Sequence, residues 1–154
     1  MILMKDNLTI TQEFSNKLFK LRWLSKKHFA EELTCYQLTP AQYVAMRALE
    51  GHPDGLKMSE LAKQAQQVSA TMTGVVDRLE KQNLVSRVRC GEDRRRVFVT
   101  LTESGITLLA QIKASKLSKF EELMLQLSPN EQEMVFRVMD KAIDYFSENL
   151  RGTS

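Results

Sequence analysis

Long apolar runs are missing from this chain of 154 residues. No stretch approaches the roughly 18 consecutive apolar residues that a membrane span needs, so no membrane partner is expected. The opening MILMKDNLTITQEF lacks a basic segment followed by an apolar one and does not read as a secretory leader. Cysteine is scarce. Cys35 and Cys90 are the only two, too few for a disulfide framework, which points to a reduced, cytoplasmic protein. His28 and His52 do not add the close ligand spacing that zinc requires. No Ser/His/Asp arrangement, glycine-rich phosphate loop or paired-carboxylate motif stands out. The expectation is therefore a protein that is not an enzyme and needs no cofactor or metal. Internal repeats and low-complexity segments are also missing.

What is present is an uneven charge. The net value is only +3, yet residues 57–101 carry nine Lys/Arg against five Asp/Glu, a local +4, while the rest of the chain sums to −1. A concentrated basic segment is the electrostatic footprint of a nucleic-acid binder, and equally the description of an ordinary solvated face. The 43% apolar content suits one compact domain, or a small domain joined to an oligomerisation region.

Hydrophobic spacing supplies the elements. Phe14, Leu18, Leu21, Trp23, Leu24, Phe29 and Leu33 recur at mostly helical intervals from about 8 to 33. Thr39, Pro40 and Gln42 form a helix start with a capping box, and the turn-rich Gly51–Gly55 follows that helix. Ser59 is placed to cap a short helix, and Ser69 the next. In the latter, Met72, Val75, Val76 and Leu79 mark a core face. Ser69, Ala70, Thr71, Thr73, Gly74, Asp77 and Arg78 lie on the other sides, small or hydrogen-bonding groups that suit a groove. Asn83 tolerates a left-handed helix end. Two β-branched arms follow, VSRVR and RVFVTL, joined by a loop containing Asp93, Arg94, Arg95 and Arg96, with Val97, Val99 and Leu101 on one face. Thr102 is placed to cap a helix over about 103–126, and Ser128 with Glu131 to box the start of the last one.

The expected fold is mainly α with a small β-hairpin wing: a winged helix-turn-helix domain over 39–101, flanked by dimerisation helices in 1–38 and 102–154. A helix of this size fits the major groove of double-stranded DNA. Arg95 is expected in the adjoining minor groove, oriented by Asp93, with Arg94 and Arg96 nearer the phosphates. A solvated hairpin tip is the alternative for those arginines. The wide apolar stripes of the terminal helices predict a homodimer, which would set two reading helices on one face of a duplex.

These residues resemble the MarR family of transcriptional regulators. Its wing signature, D-x-R-x-x-x-V-x-L-T-x-x-G, is matched by Asp93, Arg95, Val99, Leu101, Thr102 and Gly105. The end of its recognition helix, D-R-L-E, is matched by Asp77, Arg78, Leu79 and Glu80. Asn83 stands where the family usually has glycine, and Gly74 where it often has a longer polar side chain. The resemblance implies a homodimeric, usually repressive regulator on pseudo-palindromic operators, released by small, commonly phenolic molecules bound between the helical region and the winged domain. Trp23, His28, Tyr36, Tyr43 and Arg47 have the chemistry for such a pocket, and core packing explains each of them as well. Redox sensing through Cys35 or Cys90 is an alternative switch. A protein-interaction module and a non-specific architectural DNA binder are the alternative functions.

Overall fold

The computed structural model describes residues 7–89 and 97–151. The chain divides into two compact units at residue 107.

The first unit opens with helix α1 (Asn7–Cys35), then α2 (Pro40–Leu49), a two-residue strand β1 (Leu56–Lys57), α3 (Met58–Gln64), α4 (Ser69–Lys81), and strands β2 (Val85–Arg89) and β3 (Val97–Leu101). Thr39 caps α2 as its sequence requires. Its hydroxyl accepts from the Gln42 N–H (3.3 Å), and Gln42 Oε1 accepts from the Thr39 N–H (2.8 Å). The other two caps differ from the expectation. Helix α3 starts one residue before Ser59, straight out of β1, so Lys57 takes the cap position and its N–H donates to Glu60 (3.0 Å). Helix α4 starts at Ser69 itself, because the Val68 carbonyl already accepts the first helical bond from Met72 (3.1 Å).

Three helices close in the same way. After α1, α3 and α4 the chain turns left-handed at Gln37, Gln66 and Asn83. The next N–H then returns to the carbonyl five residues back: Leu38 to Leu33, Gln67 to Ala62, Leu84 to Leu79 (2.9–3.0 Å). With the bonds from Gln37 to Thr34, Gln66 to Lys63 and Asn83 to Glu80 (2.9–3.2 Å), this closure satisfies carbonyls that the helix end would leave open.

The sheet has three strands in the order β1-β3-β2, all antiparallel, rather than two. Val85 faces Leu101 and Arg89 faces Val97, while Leu56 faces Val99. Strand β1 hides behind the turn residues of the sequence. Gly55 (φ +81°) admits it: a Cβ there would sit 2.6 Å from the Val99 carbonyl oxygen. Because β3 is central, Val99 is fully buried, and Val97 and Leu101 are half-buried.

Met46, Leu49, Leu61, Met72, Val76, Leu79 and Val85 complete the core of this unit. Thr102 joins two element ends. Its hydroxyl donates to the Asn83 carbonyl (2.7 Å) and accepts from the Gly105 N–H (3.1 Å), starting helix α5 (Glu103–Leu125). Gly105 is required there, since a Cβ would meet the Leu84 carbonyl oxygen at 2.1 Å.

The second unit holds most of α5 and helix α6 (Pro129–Arg151). Gln132 Nε2 donates to the Met124 and Leu127 carbonyls and closes α5 (2.9 and 3.2 Å). At the start of α6, Glu131 accepts from both the N–H and the hydroxyl of Ser128 (2.8 and 2.7 Å). The Ser128 hydroxyl thus donates to the carboxylate and, with the Ser128 N–H, holds Glu131 below the usual carboxylate range.

Candidate nucleic-acid interface

The two sides of α4 differ in kind. Met72, Val76 and Leu79 are fully buried and Val75 nearly so, which fixes the helix about its own axis. Ala70, Thr71, Thr73, Gly74, Asp77 and Arg78 are all exposed on the remaining surface. Ser69 supplies the first residue of the helix. A Cβ built on Gly74 would meet nothing within 4 Å, so no packing inside the chain demands glycine at this point.

Arg87, in the middle of β2, was only one more basic residue in the sequence. In the structure its guanidinium bridges Asp77 and Glu80, carboxylates one turn apart on α4. Its own N–H also donates to Glu80 (3.3 Å). The Asp77 hydrogen bond, then the Glu80 charge, outweigh burial and hold Arg87 above its ordinary value. Asp77 is therefore engaged by a cation, and α4 is tied to the strand that leads into residues 90–96. The sequence signal for it is that Arg87 sits on the face of β2 that Val85 places against the core, where an unpaired charge would be costly. Cross-strand support comes from Ser86 and Thr100, whose hydroxyls lie 3.0 Å apart. Asp93, Arg94, Arg95 and Arg96, with Cys90, lie outside the described residues.

The five aromatic and basic residues expected near a ligand are placed as follows. Tyr43 is buried on α2 and meets Phe29 edge-on at 4.9 Å. Arg47 is paired with Glu50. Tyr36 is half-buried at the end of α1, and His28 is exposed. Trp23 is exposed, with Lys27 Nζ 5.5 Å from its ring, and lines an open groove along α1 with Phe19, Arg22 and Lys26. Cys35 is an exposed free thiol. Among the described residues no group of three or more His, Cys, Asp or Glu is placed to hold a metal ion, and no helix is long and apolar enough to cross a membrane.

Comparison with known proteins agrees with this geometry. Residues 38–97 match the model of the MarR family. The chain is 34% identical over 131 residues to the transcriptional regulator HosA of Escherichia coli, covering 84% of this chain and 96% of HosA. It is 31% identical over 135 residues to the transcriptional repressor NicR of Pseudomonas putida, covering 88% and 85%. Among solved structures it superposes on a mutant of S. aureus MepR bound to an oligodeoxyribonucleotide, with a TM-score of 0.71, 25% identity, and 86% and 97% of the two chains covered. With its winged fold, its exposed α4 face and a relative matched over nearly its whole length, the chain belongs to the MarR family of transcriptional regulators, proteins that are not enzymes.

Proposed function

We propose that this chain is a repressor that binds pseudo-palindromic operators as a homodimer and is released by a small aromatic acid. In this reading 39–101 is the DNA-binding domain, and 1–38 with 102–154 is the dimerisation region. The observation that carries it is the division of α4: one side fully buried, the other small, polar and open, on a helix of 13 residues. Such a helix fits the major groove and reads base edges with short side chains. Ser69, Thr71, Thr73 and Arg78 are the contacts we assign to it, with Ala70 and Gly74 allowing close approach. Asp77 acts through Arg87, keeping the wing at a fixed angle to the helix.

Arg95 is assigned to the adjoining minor groove with Asp93 orienting it, and Arg94 and Arg96 to the phosphates. The exposed apolar side chains of α1 and α6 support a second copy as their cover. The aromatic and cationic groove around Trp23, with His28, Tyr36, Tyr43 and Arg47 on the adjoining segments, supports an aromatic acid as effector. Its binding would have to favour the non-binding arrangement by about 1–3 kcal/mol to act as a switch.

Footprinting of the purified protein across genomic DNA, with and without a panel of aromatic acids, tests this reading. Discrete protected sites that one of the acids clears are expected. Uniform coverage of the DNA, or no coverage, would contradict it.

A further inference from the structure

A chain of side-chain amides connects three helix ends. It starts at the Thr39 N–H, which donates to Gln42 Oε1 (2.8 Å). Gln42 Nε2 donates to Gln82 Oε1 (3.1 Å). Gln82 Nε2 then donates to the Gln37 carbonyl (3.0 Å). A backbone N–H can only donate and a carbonyl can only accept, so the two ends of the chain fix the orientation of both amides. Neither amide can flip without facing donor to donor or oxygen to oxygen.

The three positions matter more than the bonds. Gln42 is the one polar side chain among the buried described residues, 4% exposed, at the first turn of α2. Gln82 is the C-cap of α4, its own N–H returning to Arg78 (3.1 Å). Gln37 is the left-handed residue that closes α1. The last turn of α4 is thus pinned to the junction of α1 and α2, on top of the Arg87 bridge that ties α4 to β2.

We infer that Gln82 is a positioning residue for sequence readout, and that it carries a displacement of the end of α1 to the reading helix. The inference rests on the proposed DNA contacts of α4. Ala70 lies 12 residues from Gln82, about 18 Å along the helix at 1.5 Å per residue. A small tilt at the pinned end is therefore magnified at the end assigned to the bases, where placement within about half an ångström decides a contact. Gln82 is exposed, so water takes over its bond to the Gln37 carbonyl when the amide is changed, whereas the buried Gln42 amide needs the acceptor that Gln82→Glu keeps and Gln82→Ala removes. Loss of the bond to Gln37 alone then changes where α4 points far more than it changes stability.

The test compares wild type, Gln82→Ala and Gln82→Glu as full chains. The probes are a duplex that the wild-type protein enriches from a random-sequence pool and a shuffled duplex of the same composition. Gln82→Glu keeps an acceptor for Gln42 but sets an oxygen against the Gln37 carbonyl. Both variants should lose about three- to tenfold in affinity for the enriched duplex, the range covered by one or two net hydrogen bonds. Affinity for the shuffled duplex should stay nearly unchanged in both, and the melting temperature nearly unchanged in Gln82→Glu and lower in Gln82→Ala. In the wild type the enriched duplex should slow amide exchange at Gln37 and Leu38, and in Gln82→Glu it should not. Equal losses on both duplexes, an unchanged preference, or retained slowing in Gln82→Glu would overturn the inference while leaving the DNA reading in place. Failure of the wild type to enrich any duplex would overturn both.

Discussion

Apolar side chains end up differently in the winged region and on the terminal helices. Between 38 and 101, Met46, Leu61, Met72, Val76, Leu79 and Val99 are fully buried. On α1 and α6, Phe14, Trp23, Phe136, Ile143 and Phe146 are each more than half exposed. The same helical spacing of apolar residues produced both outcomes. Spacing says that a face is to be covered, and length says by what. Helices of 7, 10 and 13 residues can be covered by their neighbours in a small core. Helices of 29 and 23 residues leave much of their apolar area exposed, the area that the proposed dimer would cover.

The same kind of deletion should have different consequences in the two regions. Leu79→Ala should cost about 2–5 kcal/mol of folding stability by leaving a cavity in a closed core, read from denaturant unfolding. A cost below 1 kcal/mol would mean that α4 is rotated from the orientation described. Phe146→Ala removes a larger group from an open face. It should leave the unfolding of dilute protein unchanged and weaken self-association by about 1–2 kcal/mol, read by sedimentation over a concentration series. Loss of stability without loss of association would place Phe146 in a core and remove the distinction.

The open side of α4 holds one residue with no packing role. Gly74 has no packing reason to be glycine, because its Cβ direction is empty. Gly74→Ala should therefore stabilise the fold by up to about 1 kcal/mol, while weakening DNA binding if the backbone approaches the bases at this point. Stabilisation together with unchanged or tighter binding would remove Gly74 from the contact surface.

The smallest effect concerns the start of α6. Ser128→Ala should raise Glu131 toward its ordinary value, since the serine hydroxyl is the larger cause of its lowering. The ionised form is the one favoured in the fold. The stability gained is present above the ordinary carboxylate range and lost as pH falls through the lowered value, so the variant should differ at neutral pH and converge in acid. A carbon-detected NMR titration of Glu131 measures the shift.

Much of the fold was legible in the sequence because its signals are local. Thr39 with Gln42, and Thr102, announce helix starts through side chains that bond nearby backbone, and Asn83 announces a helix end by tolerating the left-handed turn; each does so here. The four-residue spacing of Met72, Val76 and their neighbours identified the buried side of α4 without any knowledge of the partner elements. What was not legible depends on distant residues. Gln37 and Gln66 turn left-handed with no residue signal of the kind that Asn83 carries. Strand β1 is two residues long and exists only because β3 passes beside Gly55. Arg87 and Gln82 look like surface residues until Asp77, Glu80 and Gln42 are brought to them by the fold. The site was legible as a helix face and illegible as the set of ties that aims it.

In the proposed arrangement two copies of this chain present two α4 faces to one duplex. Selection of the full-length protein on random-sequence DNA, with the mass of the selected complexes measured, tests it most directly. An enriched inverted repeat is expected, its half-sites about 10 base pairs apart centre to centre, or a multiple of that, with two chains on each duplex. Enrichment of a single unrepeated site bound by one chain would contradict it.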